Sequence, residues 1–314
     1  MKIALLDDWQ NNAHTFAEFD RLKSDHHLDV FTDTVDGAVL AKRLQPYDII
    51  MAMRERTGLQ ADILSQLPHL QAIITCGMRN AAIDLNYCKA HKITVCGTES
   101  PGHATSELAM MLIGMLARDL YKSVHAMASG GWQVSTGRDL RGSKLGILGL
   151  GRLGCQVAQL GIAFGMSVQA WSQNLSRDKC AKEGVSYAPK NDFFSTSDFI
   201  SIHLKLSDRV KGLVGANELA LMKPDAFMIN TSRAPIIDQP ALLAALQEKR
   251  IGGAALDVYD QEPLLADDPL RSLPNVILTP HIGYVTAQTM TVFYRGMLEA
   301  LEAYLAGQPI RCLI

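Results

Sequence analysis

The stretch Lys144-Leu145-Gly146-Ile147-Leu148-Gly149-Leu150-Gly151-Arg152-Leu153-Gly154 sets three glycines at the spacing G-x-G-x-x-G directly after a short apolar run. It opens an amphipathic segment in which Val157, Leu160, Gly161 and Phe164 recur on one helical face. In a strand–turn–helix setting the first glycine permits a tight turn. The second lets backbone N–H groups approach a pyrophosphate, and the third lets helix and strand pack closely. The start of the helix adds its positive dipole end. The motif therefore reads as a dinucleotide site, with Gly149, Gly151, Arg152, Leu153 and Gly154 at the phosphates.

One strand further on, Ser167 to Trp171 ends at Ser172, where such sites usually place a carboxylate for the adenosine ribose. Ser172 and Gln173 can hydrogen-bond a ribose, yet neither repels a 2′-phosphate, which Arg152 or Arg177 can neutralise. The cofactor is expected to be NAD or NADP, with a slight lean to NADP.

Farther outward, short apolar runs alternate with longer amphipathic ones. Candidate strands are Ile3–Leu6, Ile49–Met53, Ala72–Ile74, Thr94–Val95, Leu145–Leu148, Ser167–Trp171, Phe199–Leu204, Ala226–Ile229, Ala254–Val258 and Val276–Leu278. Continuous apolar strands suit parallel sheets covered by helices on both faces. Candidate helices run over Ala81–His91, His103–Arg118, Arg152–Phe164, Pro240–Glu248 and Thr286–Leu305, and residues 129–137 read as a loop. The class is α/β. A length of 314 residues predicts about two domains.

The charge balance excludes some partners. A net charge of -2 lacks the basic excess that nucleic acid or a membrane surface would select. The longest apolar run, Leu108–Ala117, is about half of a bilayer span. Six cysteines show no C-x-x-C pair and no zinc-site spacing, so they are expected to be free thiols without a metal, in a reducing cytoplasm. A small molecule and a second copy of the chain remain as partners.

Three later segments each place a reactive side chain just past a candidate strand: Asn230-Thr231-Ser232-Arg233, Asp257 to Pro263 with Glu262, and Thr279-Pro280-His281-Ile282-Gly283. Strand C-termini are where open parallel sheets bind ligands. Arginine holds a carboxylate through paired hydrogen bonds. Histidine exchanges protons near neutrality, and an adjacent carboxylate orients its ring. Taken singly, Arg233, Glu262 and His281 are ordinary surface or loop residues. Beside a nucleotide turn, they compose a site for hydride transfer to a carbonyl next to a carboxylate.

On Met53–Thr57, Gly149–Gly154, Leu221–Pro224, Asn230–Arg233, Ala255–Val258, Glu262-Pro263 and Thr279–Gly283, the chain resembles the D-isomer-specific 2-hydroxyacid dehydrogenases from about Ile49 to the final helix. The resemblance implies an oxidoreductase acting between a nicotinamide cofactor and a small D-2-hydroxy acid or 2-oxo acid, as in glyoxylate/hydroxypyruvate reductase and D-3-phosphoglycerate dehydrogenase. It implies that Arg233 binds the acid's carboxylate, His281 exchanges a proton with the substrate oxygen, and Glu262 pairs with His281. It further implies that Asp257 holds the nicotinamide carboxamide while Thr231, Ser232, Gly283 and Tyr284 line the ring. A flavodoxin-like substrate domain, residues 1–100 and 286–314, is expected around a Rossmann domain, residues 101–285, with homodimerisation through the latter. A rival reading is an NAD(H)-sensing binding module like the transcriptional corepressors of the same fold.

Four positions depart from the family pattern. Arg79 stands in the loop Gly77-Met78-Arg79, where a glycine is common and backbone N–H groups bind the substrate carboxylate. It either serves a second acidic group, or faces solvent or Glu55. Ala234 follows Arg233 in place of glycine. Lys205 replaces a proline after His203, near the adenine, and Ser172 replaces the ribose acid. The resemblance implies that the segment holding Arg54 and Arg56 faces the substrate; if it is extended they share a face.

Overall fold

A computed structural model describes the backbone of residues 1–314 and the side chains of all but residues 23 and 24. The chain divides into two compact units, one formed by Met1–Pro101 with Val285–Ile314 and the other by Gly102–Tyr284.

In the first unit the strands are β1 (Lys2–Leu5), β2 (His27–Val30), β3 (Ile49–Ala52), β4 (Ala72–Thr75) and β5 (Thr94–Cys96). They form one parallel sheet in the order β2-β1-β3-β4-β5, the doubly wound order of flavodoxin-like folds. β3 and β4 are buried along their whole length, as expected for strands covered on both faces. The C-terminal helix Ala287–Leu305 is N-capped by Thr286, whose hydroxyl accepts from the Thr289 N–H. It buries Phe293, Tyr294 and Met297. The Tyr294 hydroxyl donates to the buried carboxylate of Asp8 at 2.9 Å, just beyond β1.

The second unit holds β6 (Lys144–Leu148), β7 (Ser167–Trp171), β8 (Ser186–Tyr187), β9 (Phe199–Ile202), β10 (Phe227–Asn230), β11 (Gly253–Leu256) and β12 (Val276–Leu278). The order is β12-β11-β10-β9-β6-β7-β8, all parallel. The strand order reverses between β6 and β9, which is the switch point where such sheets bind ligands. Helix Ala104–Ala117 packs Ala109, Leu112, Ile113 and Leu116 into the same cluster as Leu145, Ile147, Ile229 and Ala255. No helix among the described residues is long and apolar enough to cross a membrane.

Several elements differ from the sequence reading. β2 and β8 were not anticipated: both are edge strands with polar residues, so neither shows the continuous apolar run of a central strand. Helix Leu85–Ala90 starts four residues later than the pattern suggests, because Asp84 caps it by accepting the Tyr87 N–H. Beyond Ala117 a second helix, Leu120–Ala128, follows a kink at Asp119, whose φ is +46°. Residues 53–57 turn rather than extend: Arg54 has φ +57°, so the shared-face argument for Arg54 and Arg56 does not apply.

Candidate active site

At the switch point, the glycine turn follows the division of labour read from its spacing. Gly149, at φ +101°, donates its N–H to the Trp171 carbonyl, and a Cβ there would stand 2.8 Å from Leu204 and 3.0 Å from the His203 carbonyl. Only glycine fits both demands. A Cβ on Gly154 would stand 2.1 Å from the Gly149 carbonyl oxygen, so this residue brings helix Arg152–Ala163 onto the turn. A Cβ on Gly151 would meet nothing within 4 Å. Backbone is thus bare toward open space where the helix begins, the local arrangement a pyrophosphate requires.

Around the turn, Ser172 is half-buried and Gln173 exposed, with Gln173 Nε2 3.3 Å from the Arg209 carbonyl. Arg177 lies over the Tyr187 ring at 5.0 Å, while the guanidinium of Arg152 packs against Gly102. His203 donates its N–H to the Leu148 carbonyl, and its Nε2 lies 2.8 Å from the Ser201 hydroxyl. Burial lowers its pKa to about 4, so the ring is neutral at pH 7.

The ends of β10, β11 and β12 carry the remaining groups. Asn230, fully buried, accepts the Ser232 N–H at 3.0 Å and donates to the Arg233 carbonyl at 3.0 Å. That brace fixes the turn from which Arg233 projects, half-buried, with Nη1 on the Ser232 carbonyl at 2.8 Å. Ser232 donates its hydroxyl to the Leu204 carbonyl. Thr231 Oγ1 is buried without a hydrogen-bond partner, an open position for a polar ligand group beside the switch point. Ala234 opens a short 3₁₀ turn with negative φ, where the absent glycine is not needed.

Asp257, 1% exposed, accepts from the Thr279 hydroxyl at 2.6 Å, the Ile282 N–H at 2.9 Å and the Gly283 N–H at 2.8 Å. Burial nevertheless raises its pKa. This clamp shapes the turn in which His281 takes φ +52°. His281 Nδ1 lies 2.6 Å from Glu262 Oε2, and Glu262 Oε1 accepts the Tyr259 N–H at 2.9 Å. The Tyr284 ring stands edge-on to His281, with centroids 5.9 Å apart, and a Cβ on Gly283 would meet Thr105 at 3.2 Å. With Nδ1 engaged by a carboxylate, Nε2 is the nitrogen available for proton exchange. The sequence reading missed Asn230, Tyr259 and Thr279 as bracing residues. Each lies inside a quoted motif; Asn230 braces its own turn, while Tyr259 and Thr279 reach across to one another's segments.

In the first unit, Arg54 directs Nη1 at the Cys76 carbonyl (3.5 Å) and pairs with Glu55 at 3.4 Å. A Cβ on Gly77, at φ +79°, would stand 2.5 Å from that Nη1. Asn80 donates to the Arg54 carbonyl and to Thr75 Oγ1. The Gly77 N–H is already given to Thr98 Oγ1, whereas those of Met78 and Arg79, both exposed, have no acceptor among the described residues. Arg56 turns inward, donating to the Asp7 carbonyl at 2.7 Å and lying over Trp9 at 4.0 Å.

Switch point, bare glycine turn and braced acid–base pair together define a nicotinamide-dependent oxidoreductase. Residues 109–283 match the model of the D-isomer specific 2-hydroxyacid dehydrogenase NAD binding domain. A glyoxylate reductase of Aeropyrum pernix is 36% identical over 262 residues, covering 80% of this chain and 78% of the relative. A glycerate dehydrogenase of Methylorubrum extorquens is 32% identical over 298 residues, covering 90% and 91%. The crystal structure of a phosphoglycerate oxidoreductase from Vibrio cholerae superposes with a TM-score of 0.93 at 36% identity, covering 98% and 99%. The chain belongs to the D-isomer specific 2-hydroxyacid dehydrogenase family.

Proposed function

We propose that this chain interconverts a small 2-oxo acid and its D-2-hydroxy acid, with Arg233, Glu262 and His281 as the reacting set. The bound nicotinamide supplies the hydride and takes it back in oxidation. Arg233 holds the acid's carboxylate through paired hydrogen bonds and polarises the neighbouring keto oxygen. His281 gives a proton from Nε2 to that oxygen as hydride reaches the carbon, and recovers it in reverse. Glu262 keeps the ring oriented through its 2.6 Å contact with Nδ1. The observation that carries the reading is the 2.6 Å contact between His281 Nδ1 and Glu262.

Toward the cofactor, the turn Gly149–Gly154 would hold the pyrophosphate, Ser172 and Gln173 the ribose, His203 the adenine side, and Thr231, Ser232, Gly283 and Tyr284 the nicotinamide. Asp257 acts chiefly through the His281 turn and keeps an oxygen lone pair for the carboxamide. The lack of a carboxylate over Ser172-Gln173-Asn174 supports the lean to NADP. In the first unit, the open N–H groups of Met78 and Arg79, beside Gly77 and Arg54, suit a carboxylate. A panel of 2-oxo acids with NADH and NADPH tests the whole reading: turnover with a two- or three-carbon oxo acid is expected, with the higher kcat/KM for NADPH. No turnover with any member would refute the reaction, and a preference for NADH would refute only the lean.

We also infer that the working form is a homodimer. Helix Leu120–Ala128 has no buried residue, and Leu120, Val124 and Met127 are exposed at helical spacing near the exposed Trp132.

A further inference from the structure

Two of the six cysteines lie opposite one another. Cys96 closes β5, and Cys312 lies in the last four residues of the chain, paired with it as an antiparallel bridge. The flanking bonds run from the Gly97 N–H to the Arg311 carbonyl (2.9 Å) and from the Leu313 N–H to the Val95 carbonyl (2.8 Å). Bonds on the neighbours and none between the two make Cys96 and Cys312 a non-hydrogen-bonded pair, the closer of the two antiparallel kinds, with Cα atoms about 4.5 Å apart. That separation falls inside the range a disulfide spans, about 4.4 to 6.8 Å. The thiol sulfurs are 4.0 Å apart, so side-chain rotation alone brings them to bonding distance.

Access is asymmetric. Cys312 is exposed, and Cys96 is 1% exposed. Burial and the neighbouring Cys312 push the Cys96 thiol up to about 12. A reagent in solution therefore meets Cys312 first, while Cys96 is reached only by its neighbour. Cys76, Cys88 and Cys180 are buried, and none of them has such a pairing.

We propose that Cys96 and Cys312 form a reversible disulfide, with a low-molecular-weight disulfide such as oxidised glutathione as oxidant. Cys312 sulfur attacks the reagent, forming a mixed disulfide and releasing one glutathione thiol. Cys96 then gives up its proton and attacks the Cys312 sulfur, breaking the mixed disulfide and releasing the second. Two protein thiols become one disulfide, and one glutathione disulfide becomes two thiols. The bond fastens the C-terminal segment to β5 directly behind the loop at Gly77. Arg311 Nε donates to the Gly97 carbonyl, a Cβ on Gly97 would meet the Gly77 carbonyl at 2.5 Å, and Thr98 Oγ1 holds the Gly77 N–H. On the reading above, in which that loop offers N–H groups to an anion, its mobility then answers to the thiol–disulfide poise.

The full-length protein is equilibrated in glutathione buffers of stepped ratio, then alkylated and mapped by mass spectrometry. The expected result is loss of two thiols and a crosslinked peptide joining Cys96 to Cys312, reversed by dithiothreitol. Cys96→Ser is expected to stop at the glutathione adduct on Cys312, and Cys312→Ser, at an exposed position, to keep Cys96 reduced. Amide exchange at residues 77 and 97 is expected to slow in the oxidised protein. A crosslink between other cysteines, or Cys96 left free in oxidised wild type, overturns the pairing. Unchanged exchange at both amides overturns the coupling to the loop, independently of whether the enzyme turns over any acid.

Discussion

His281 adopts a left-handed backbone that a residue bearing a Cβ reaches at an expense of about 1–2 kcal/mol. The chain holds it there through Asp257, whose carboxylate takes the two following N–H groups and the Thr279 hydroxyl. Replacing His281 by Ala is expected to lower kcat about 10²- to 10⁴-fold, the usual range for a lost acid–base group, while cofactor affinity stays within a few-fold. Steady-state kinetics with cofactor titration reads both, and a loss of less than tenfold would remove His281 from its role. Glu262→Gln is expected to reduce kcat less, since the amide can still reach Nδ1 but no longer carries the carboxylate charge. An unchanged kcat would remove Glu262 from the reacting set. At this scale the positions of Arg233, Glu262 and His281 beyond β10, β11 and β12 were legible, because each follows a strand marked by its apolar run. The Asp257 clamp and the turn at Arg54 were not: their partners lie 22 to 26 residues away, just past other strands.

The three glycines of the nucleotide turn do separate jobs, and the element can be tested by changing two of them. Gly154→Ala places a methyl 2.1 Å from the Gly149 oxygen, which forces the helix off the turn. Overpacking of this kind typically costs about 1–3 kcal/mol, so the melting temperature and the cofactor affinity are both expected to fall. Gly151 has φ −88° and open space around its missing Cβ, so Gly151→Ala is expected to fold normally and to lose affinity alone. Calorimetry and fluorescence titration on the pair separate the cases. If Gly151→Ala binds as tightly as wild type, the ligand does not approach where the motif says it does. This element was legible because strand, turn and helix follow without a gap. Helices such as Lys190–Thr196 and Ala216–Leu221 were not, since segments of six or seven residues fall short of two turns and show no period to read.

Over the whole molecule, alternating apolar and amphipathic segments announced parallel sheets, and the switch point followed from strand order. Edge strands β2 and β8 escaped because an edge tolerates polar residues that a central strand excludes. Global stability should carry the mark of one half-buried ring. His203 titrates at about 4 in the folded chain, against an ordinary value near 6.5, so the unfolded chain binds more protons between these limits. Stability is therefore full above about pH 6.5 and declines as the pH falls through the window. His203→Gln is expected to flatten that decline in melting temperature between pH 7 and 5, and an unchanged slope would show that another group governs it.

The solution state turns on helix Leu120–Ala128. A nine-residue helix with no fully buried residue, Val124 60% exposed and Trp132 just after it 72% exposed, gains little from its own chain, since short helices depend on packing of their apolar face. A second copy would cover that face, and each large apolar side chain fully covered would contribute about 1.5–3 kcal/mol to association. Sedimentation at micromolar concentration is expected to show a dimer, and Val124→Glu together with Met127→Glu is expected to give a folded monomer, because the charges would have to be buried without partners. A monomeric wild type, or a double variant that stays dimeric, would move the interface elsewhere or abolish it.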